Sequence, residues 1–306
     1  MTKAEQKILP HLWFDHDQAW EAAEFYTQVF PESRIEGKTV IKGTPSGDCD
    51  FVIFDLWGMR FMGISAGPAF KFTPAISFIV NYDPSRLTDA RSRLDKAWGM
   101  LAEGGKALMP LDKYPFSERY GWIQDKYGLS WQLMLTNPSG EPRPEIIPSL
   151  MFIGKNAGKA EAAIEFYKSA FQRSKTGMMA RYGASQAPDR EGTLMFADFQ
   201  LHEQWFAAMD SAREHKFDFN EAVSLLVACE TQKEIDAYSD LLSADPKAEQ
   251  CGWLKDKFGV SWQIQPKLMN EILMQGTEQQ KVRVIEAFLK MKRFDIAKVK
   301  AAYSGG

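Results

Sequence analysis

Hydrophobic positions along this chain change period repeatedly. Residues 9–14 form a short apolar run, the mark of a buried strand. Residues 18–30 carry Ala22, Tyr26 and Val29 or Phe30 at helical spacing. Two apolar segments, 50–57 and 60–65, flank Gly58 and predict a hairpin. Residues 75–82 predict another strand, with Ala75, Ser77 and Ile79 on one face and Ile76, Phe78 and Val80 on the other. A helix is predicted over 84–102, opened by Pro84 near its first turn and closed by Gly104 and Gly105. Trp122 to Gln124 and Leu129 to Leu135 then flank Asp125, Lys126, Tyr127 and Gly128, a hairpin turn with a glycine free to take positive φ. The order β-α-β-β-β, run through twice, makes an α+β module whose strands build a curved mixed sheet.

The same letters return further on. Residues 121–133 read GWIQDKYGLSWQL and residues 252–264 read GWLKDKFGVSWQI, with mismatches that nearly all conserve volume. Pro10, Leu12 and Phe14 parallel Pro148, Leu150 and Phe152, and Glu24-Phe25-Tyr26 parallels Glu165-Phe166-Tyr167. Phe72 to Val80 likewise parallels Phe219 to Val227. Three blocks in one order are a duplication. The modules are placed at 1–137 and 148–266. A proline-rich linker over 138–147 joins them, since prolines suppress both helix and ladder. Residues 267–306 are read as a helical tail. Val282, Ile285 and Leu289 form its apolar stripe, and two long helices are expected, broken near Phe294 and Asp295.

Composition narrows the function classes. Hydrophobic residues make up 45%, charged residues 25%, and the net charge is -3, which speaks against a nucleic acid or an anionic membrane as partner. No apolar run is long enough to span a bilayer. Cys49, Cys229 and Cys251 are odd in number and lack Cys-x-x-Cys spacing, and Met1 to Lys7 is polar, so reduced thiols in a cytoplasmic protein are expected. No Gly-x-Gly-x-x-Gly loop is present to cradle a nucleotide-type methyl donor. His16, His202 and His215 read as loop residues without chemistry.

The motifs Pro10-His-Leu-Trp-Phe14 before Ala23-Glu-Phe-Tyr26, and Cys251-Gly-Trp-Leu-Lys-Asp-Lys-Phe-Gly-Val-Ser-Trp-Gln263, resemble the PhnB-like family. That family is also labelled the 3-demethylubiquinone-9 3-methyltransferase domain and lies within the vicinal oxygen chelate superfamily of glyoxalases, bleomycin-resistance proteins and dioxygenases. The resemblance implies tandem modules, each of two βαβββ units on a ligand-enclosing sheet. It also implies metal positions on four strands. These fall on His11 and Ser149, on Ser65 and Asp210, on Ala75 and Ala222, and on Gln132 and Gln263. Alanine and serine leave too few ligands for a hard or borderline ion, so no metal and no cofactor is expected. His11, Trp13, Trp57, Gln132, Gln263 and Asp210 become the candidate contacts of a small-molecule ligand, with His11 and Gln132 paired in one pocket. Nothing assigns a catalytic residue. A homodimer, a metal-dependent lyase, isomerase or oxygenase, and a regulatory module with vestigial pockets stay open as alternatives.

Overall fold

Alternation of apolar and polar residues builds four β-α-β units in succession, described by a computed structural model over residues 6–15, 17–137, 139 and 141–306. His16 lies outside the described residues, as do Pro138 and Gly140 of the linker. The first unit comprises β1 (Ile8–Phe14), α1 (Gln18–Val29), β2 (Arg34–Thr44), β3 (Gly47–Leu56) and β4 (Met59–Ser65). The second comprises β5 (Ile76–Tyr82), α2 (Ala90–Ala102), β6 (Lys106–Tyr114), β7 (Ser117–Gln124) and β8 (Ser130–Leu135). The third holds β9 (Ile146–Phe152), α3 (Ala160–Ala170), β10 (Lys175–Arg181), β11 (Leu194–Leu201) and β12 (Gln204–Asp210). The fourth holds β13 (Val223–Cys229), α4 (Gln232–Leu242), β14 (Trp253–Lys255) and β15 (Ser261–Pro266).

Sequence order does not decide which units share a sheet. The seven-stranded sheet runs β14-β15-β13-β1-β4-β3-β2, joining the first unit to the fourth. The eight-stranded sheet runs β10-β11-β12-β9-β5-β8-β7-β6, joining the second to the third. The seams are antiparallel: His11 pairs with Ser224 across β1 and β13, and Ser77 pairs with Ser149 across β5 and β9. Each sheet therefore needs strands from both sequence repeats.

Alternate strand residues point to opposite faces. Leu12, Phe14, Val52, Phe54 and Phe61 of the first sheet meet Phe78, Val80, Trp131 and Leu150 of the second in one continuous core that also takes in the buried faces of α1 to α4. The other face of the first sheet carries Leu9, Ile41, Phe51, Ile53, Met62 and Leu226. Left wet, that surface would be a large apolar patch. It is closed by Leu273 of α5 (Leu268–Gln275) and Ile285 of α6 (Glu278–Phe288).

Several details differ from the sequence reading. The tail forms three short helices, α5, α6 and α7 (Ile296–Ser304), rather than two long ones. Thr277 starts α6 with a capping box, and the Asp295 side chain accepts from Lys298 N at the start of α7. Strand β9 begins at Ile146, inside the segment read as linker, because Ile146 and Ile147 are both buried and paired with β5. After α4, the fourth unit makes two strands rather than three. Only ten residues separate Leu242 from Trp253, too few for a further hairpin. No helix among the described residues is long and apolar enough to cross a membrane.

Candidate functional site

The duplicated DKYG and DKFG segments are structural devices, and their aspartates went unread in the sequence except as turn residues. Asp125 is buried and accepts four hydrogen bonds, from Tyr26 Oη at 2.7 Å, Trp131 Nε1 at 2.9 Å, Tyr127 N at 2.9 Å and Leu129 N at 3.0 Å. Asp256 repeats the set with Tyr167 Oη at 2.8 Å, Trp262 Nε1 at 2.9 Å, Phe258 N at 2.8 Å and Val260 N at 3.1 Å. Burial pushes both carboxyls up, and the four donors pull them back. Gly128 and Gly259 complete the turns at φ +88° and +89°. The effect is to lock β8 and β15 to the helix of the neighbouring unit, which sets how the glutamines one residue past the tryptophans are presented.

On the face beneath the tail, β1, β13, β15 and β14 converge. His11 is 5% exposed, its ring 5.8 Å from that of Trp253 in a T-shaped contact and 6.3 Å from Phe51. Its Nδ1 is buried and has no hydrogen-bond partner. Burial lowers the imidazole to about 4, so the ring is neutral at physiological pH. Trp13 stands beside it, 6.2 Å from Trp253, with Nε1 donating to Gly67 O at 2.8 Å. Gln263 Nε2 donates to Ser224 Oγ at 2.9 Å, and Gln265 Nε2 donates to Gln263 Oε1 at 2.8 Å. His11, Trp13, Trp253, Gln263 and Gln265, with Leu273 of α5 and Phe288 of α6, line a cavity of ≈ 100 Å³.

The equivalent face of the second sheet is wired differently. Ser149 takes the place of His11, and its Oγ has no partner. Gln132 Nε2 donates to Ser77 Oγ at 2.7 Å, while Tyr120 Oη donates to Gln132 Oε1 at 2.7 Å. Trp122 Nε1 donates to Ser130 Oγ at 2.6 Å. Apart from Ser149, these polar groups bond to one another, and Tyr120, Trp122, Met151 and Ile153 form an apolar cluster on this face.

The six sequence candidates thus separate. His11, Trp13 and Gln263 come together on the first sheet. Gln132 lies on the second sheet, so the expected His11–Gln132 pocket does not form: β1 joins the sheet of β15, not that of β8. Trp57 is no pocket wall; at φ 38° in the β3–β4 turn, it packs into the core against Tyr82 with ring centres 5.1 Å apart. Asp210 is no ligand contact either. Its Oδ1 accepts from Gly158 N at 2.8 Å and Ala160 N at 3.0 Å, and Oδ2 from Leu194 N at 3.1 Å, pinning the start of α3. Ser65 does the same for α1 by accepting from Ala19 N at 2.9 Å. The residues on the strand before the second helix that reach the glutamines are Ser77 and Ser224, two positions beyond Ala75 and Ala222. Trp253 and the tail residues that roof the cavity were missed. Nothing in the sequence reveals that the tail folds onto this face.

A divalent ion does not fit this donor set. Around His11 stand aromatic rings and an amide already bonded on both atoms, and no group of three His, Cys, Asp or Glu side chains gathers among the described residues.

Comparison with known proteins gives a consistent picture of relationship. The family model described as 3-demethylubiquinone-9 3-methyltransferase matches residues 6–134 and again 144–265. A solved putative 3-demethylubiquinone-9 3-methyltransferase, the PhnB protein of Bacillus cereus, is 37% identical over 43% of this chain and 100% of its own, with a TM-score of 0.38. Glyoxalase I from Zea mays is 12% identical, covering 88% of this chain and 98% of its own at a TM-score of 0.50, a likeness of fold. No curated protein matches the chain.

Proposed function

Given that the chain belongs to the PhnB-like, 3-demethylubiquinone-9 3-methyltransferase family of the vicinal oxygen chelate superfamily, we propose that it binds a small organic molecule, without metal, in the cavity between β1, β15 and the tail. The observation that carries this reading is a buried, neutral histidine, its Nδ1 without a hydrogen-bond partner, among the residues that line a largely apolar cavity. Buried polar atoms without partners are uncommon in a folded protein, and one on a cavity wall marks where a ligand atom makes the missing bond. Methyl transfer finds no support in this lining, which offers neither a glycine-rich strand-to-helix loop nor a charged anchor for a nucleotide-type donor. The lining supports binding and leaves the class of reaction, if any, unassigned.

A thermal-shift screen of neutral, acidic and basic compounds tests the reading, run on the wild-type chain and on Leu273→Trp, which fills the cavity. A ligand that raises the wild-type melting temperature and loses its effect in the variant supports it. If no compound distinguishes the two proteins, the cavity is a packing void and the proposal fails. Stoichiometric zinc, nickel or iron in protein purified without chelator would overturn the metal-free part.

A further inference from the structure

From the size of this cavity, its uncharged lining and the His11 imidazole among its walls we infer the ligand class: a neutral, single-ring molecule carrying one hydroxyl group, such as a phenol. The inference rests on the binding function proposed above. The cavity measures ≈ 100 Å³. An engineered apolar cavity of about 150 Å³ takes up benzene, whereas sites for cofactor-sized ligands occupy roughly 300–1,000 Å³. Under the roof of α5 and α6 the volume therefore admits one ring at most.

Charge comes next. No Asp, Glu, Lys or Arg lines the cavity among the described residues. A carboxylate or ammonium brought there would lose its hydration with no opposite charge to meet it, a heavy penalty in such surroundings. The ligand must enter neutral.

Aromatic edges and faces shape the walls. His11 meets Trp253 edge to face, Trp13 meets Trp253 at 75°, and Phe51 and Phe288 close the sides. A flat ring gains from such contacts beyond the area it buries. The polar requirement is set by His11. A neutral imidazole carries a lone pair on one ring nitrogen and an N–H on the other. A hydroxyl can donate to the first and accept from the second, so it satisfies both. The Gln263 amide is bonded on both atoms, to Ser224 and to Gln265, so the His11 ring and the side-chain oxygen of Gln265 are the polar groups that can meet the hydroxyl.

Calorimetric titration of the full chain with phenol, toluene and benzoate tests this. The expectation is saturable one-to-one binding of phenol, binding of toluene about tenfold weaker for want of one hydrogen bond, and no binding of benzoate. His11→Phe should bring phenol down to the level of toluene and leave toluene unchanged. Should that variant not fold, the ratio of phenol to toluene in the wild type carries the same information. Benzoate binding as tightly as phenol, or phenol binding unaffected by His11→Phe, overturns the class. So does failure of all three probes when the wider screen still finds a ligand lost in Leu273→Trp. A wider screen without any ligand overturns the binding function beneath it instead.

Discussion

Replacing Asp256 by asparagine is a small change in volume and a large one in bonding. The carboxylate accepts from two backbone amides through Oδ1 and from Tyr167 Oη and Trp262 Nε1 through Oδ2, all within 2.8–3.1 Å. Asparagine keeps one oxygen. With that oxygen on the amides of Phe258 and Val260, the new NH2 group faces a phenol and an indole. The phenol hydroxyl can turn and accept, but the indole N–H is a donor only. One buried donor left unpaired costs about 1–3 kcal/mol. Loss of charge assistance on the remaining bonds adds about 1 kcal/mol. A total of about 2–4 kcal/mol corresponds to a fall in melting temperature of roughly 3–6 °C for a chain of this size. Melting followed by near-ultraviolet circular dichroism, which senses Trp262 directly, is the measurement. Asp125→Asn should fall by a similar amount, because Tyr26, Trp131, Tyr127 and Leu129 repeat the same four donors. If Asp256→Asn melts within about 2 °C of the wild type, the carboxylate is not the anchor described, and the repeat needs another explanation.

Two further consequences follow from buried charge. The His11 imidazole is lowered from 6.5 to about 4 by burial, so between those values the unfolded chain binds more protons than the folded one. Its contribution is complete above pH 6.5 and is lost as the pH falls toward 4, about 3 kcal/mol in all. Urea unfolding at about pH 4.5 and about pH 7 should show a smaller difference for His11→Phe than for the wild type, and an equal difference refutes the assignment. Arg143 of the linker lies over the Trp205 ring at 3.8 Å and donates to Asp198 at 2.8 Å, with the Asp198 side chain only 7% exposed. Arg143→Ala leaves that carboxylate without its cation, with the Met178 amide at 2.6 Å still bonded, and should cost about 2–3 kcal/mol, read by chemical denaturation, while an unchanged midpoint would show the linker to be unpinned.

How much of this was legible in the letters depends on where each residue sits. Strands buried on both faces, such as β5 and β9, announce themselves as apolar runs. The edge strands β2 and β6 do not: Arg34 to Thr44 alternates half-exposed residues with lysine and glycine, so no apolar period stands out. Pro84 suggested a helix start, yet α2 begins at Ala90. Asp83 instead closes a turn by accepting from Ser85 N and, through its carbonyl, from Arg86 N. The site was half legible. His11, Trp13 and Gln263 could be picked out because they sit at motif positions, but their grouping could not. Whether β15 or β8 shares a sheet with β1 is decided by pairing between units far apart in sequence, where the two repeats are nearly indistinguishable.

That near-identity makes the differences between the two faces informative. Trp122, Ser130 and Gln132 match Trp253, Ser261 and Gln263 letter for letter, yet the networks differ. In the second sheet Tyr120 reaches Gln132, Trp122 reaches Ser130, and aromatic bulk fills the face. At the position of Tyr120 the other repeat has Cys251, too short to reach Gln263, and Gln265 makes that bond instead of Met134. With the phenol ring gone, Trp253 lies against His11, Ser261 Oγ is left without a partner, and Cys251 lines the cavity. A thiol where the other copy has a phenol leaves volume, and the tail roofs that volume instead of filling it. The duplicated scaffold of Asp125 and Asp256 stays constant, so the backbone holding each face is the same. A few side chains and one C-terminal extension are enough to make one face a packed wall and the other a roofed cavity.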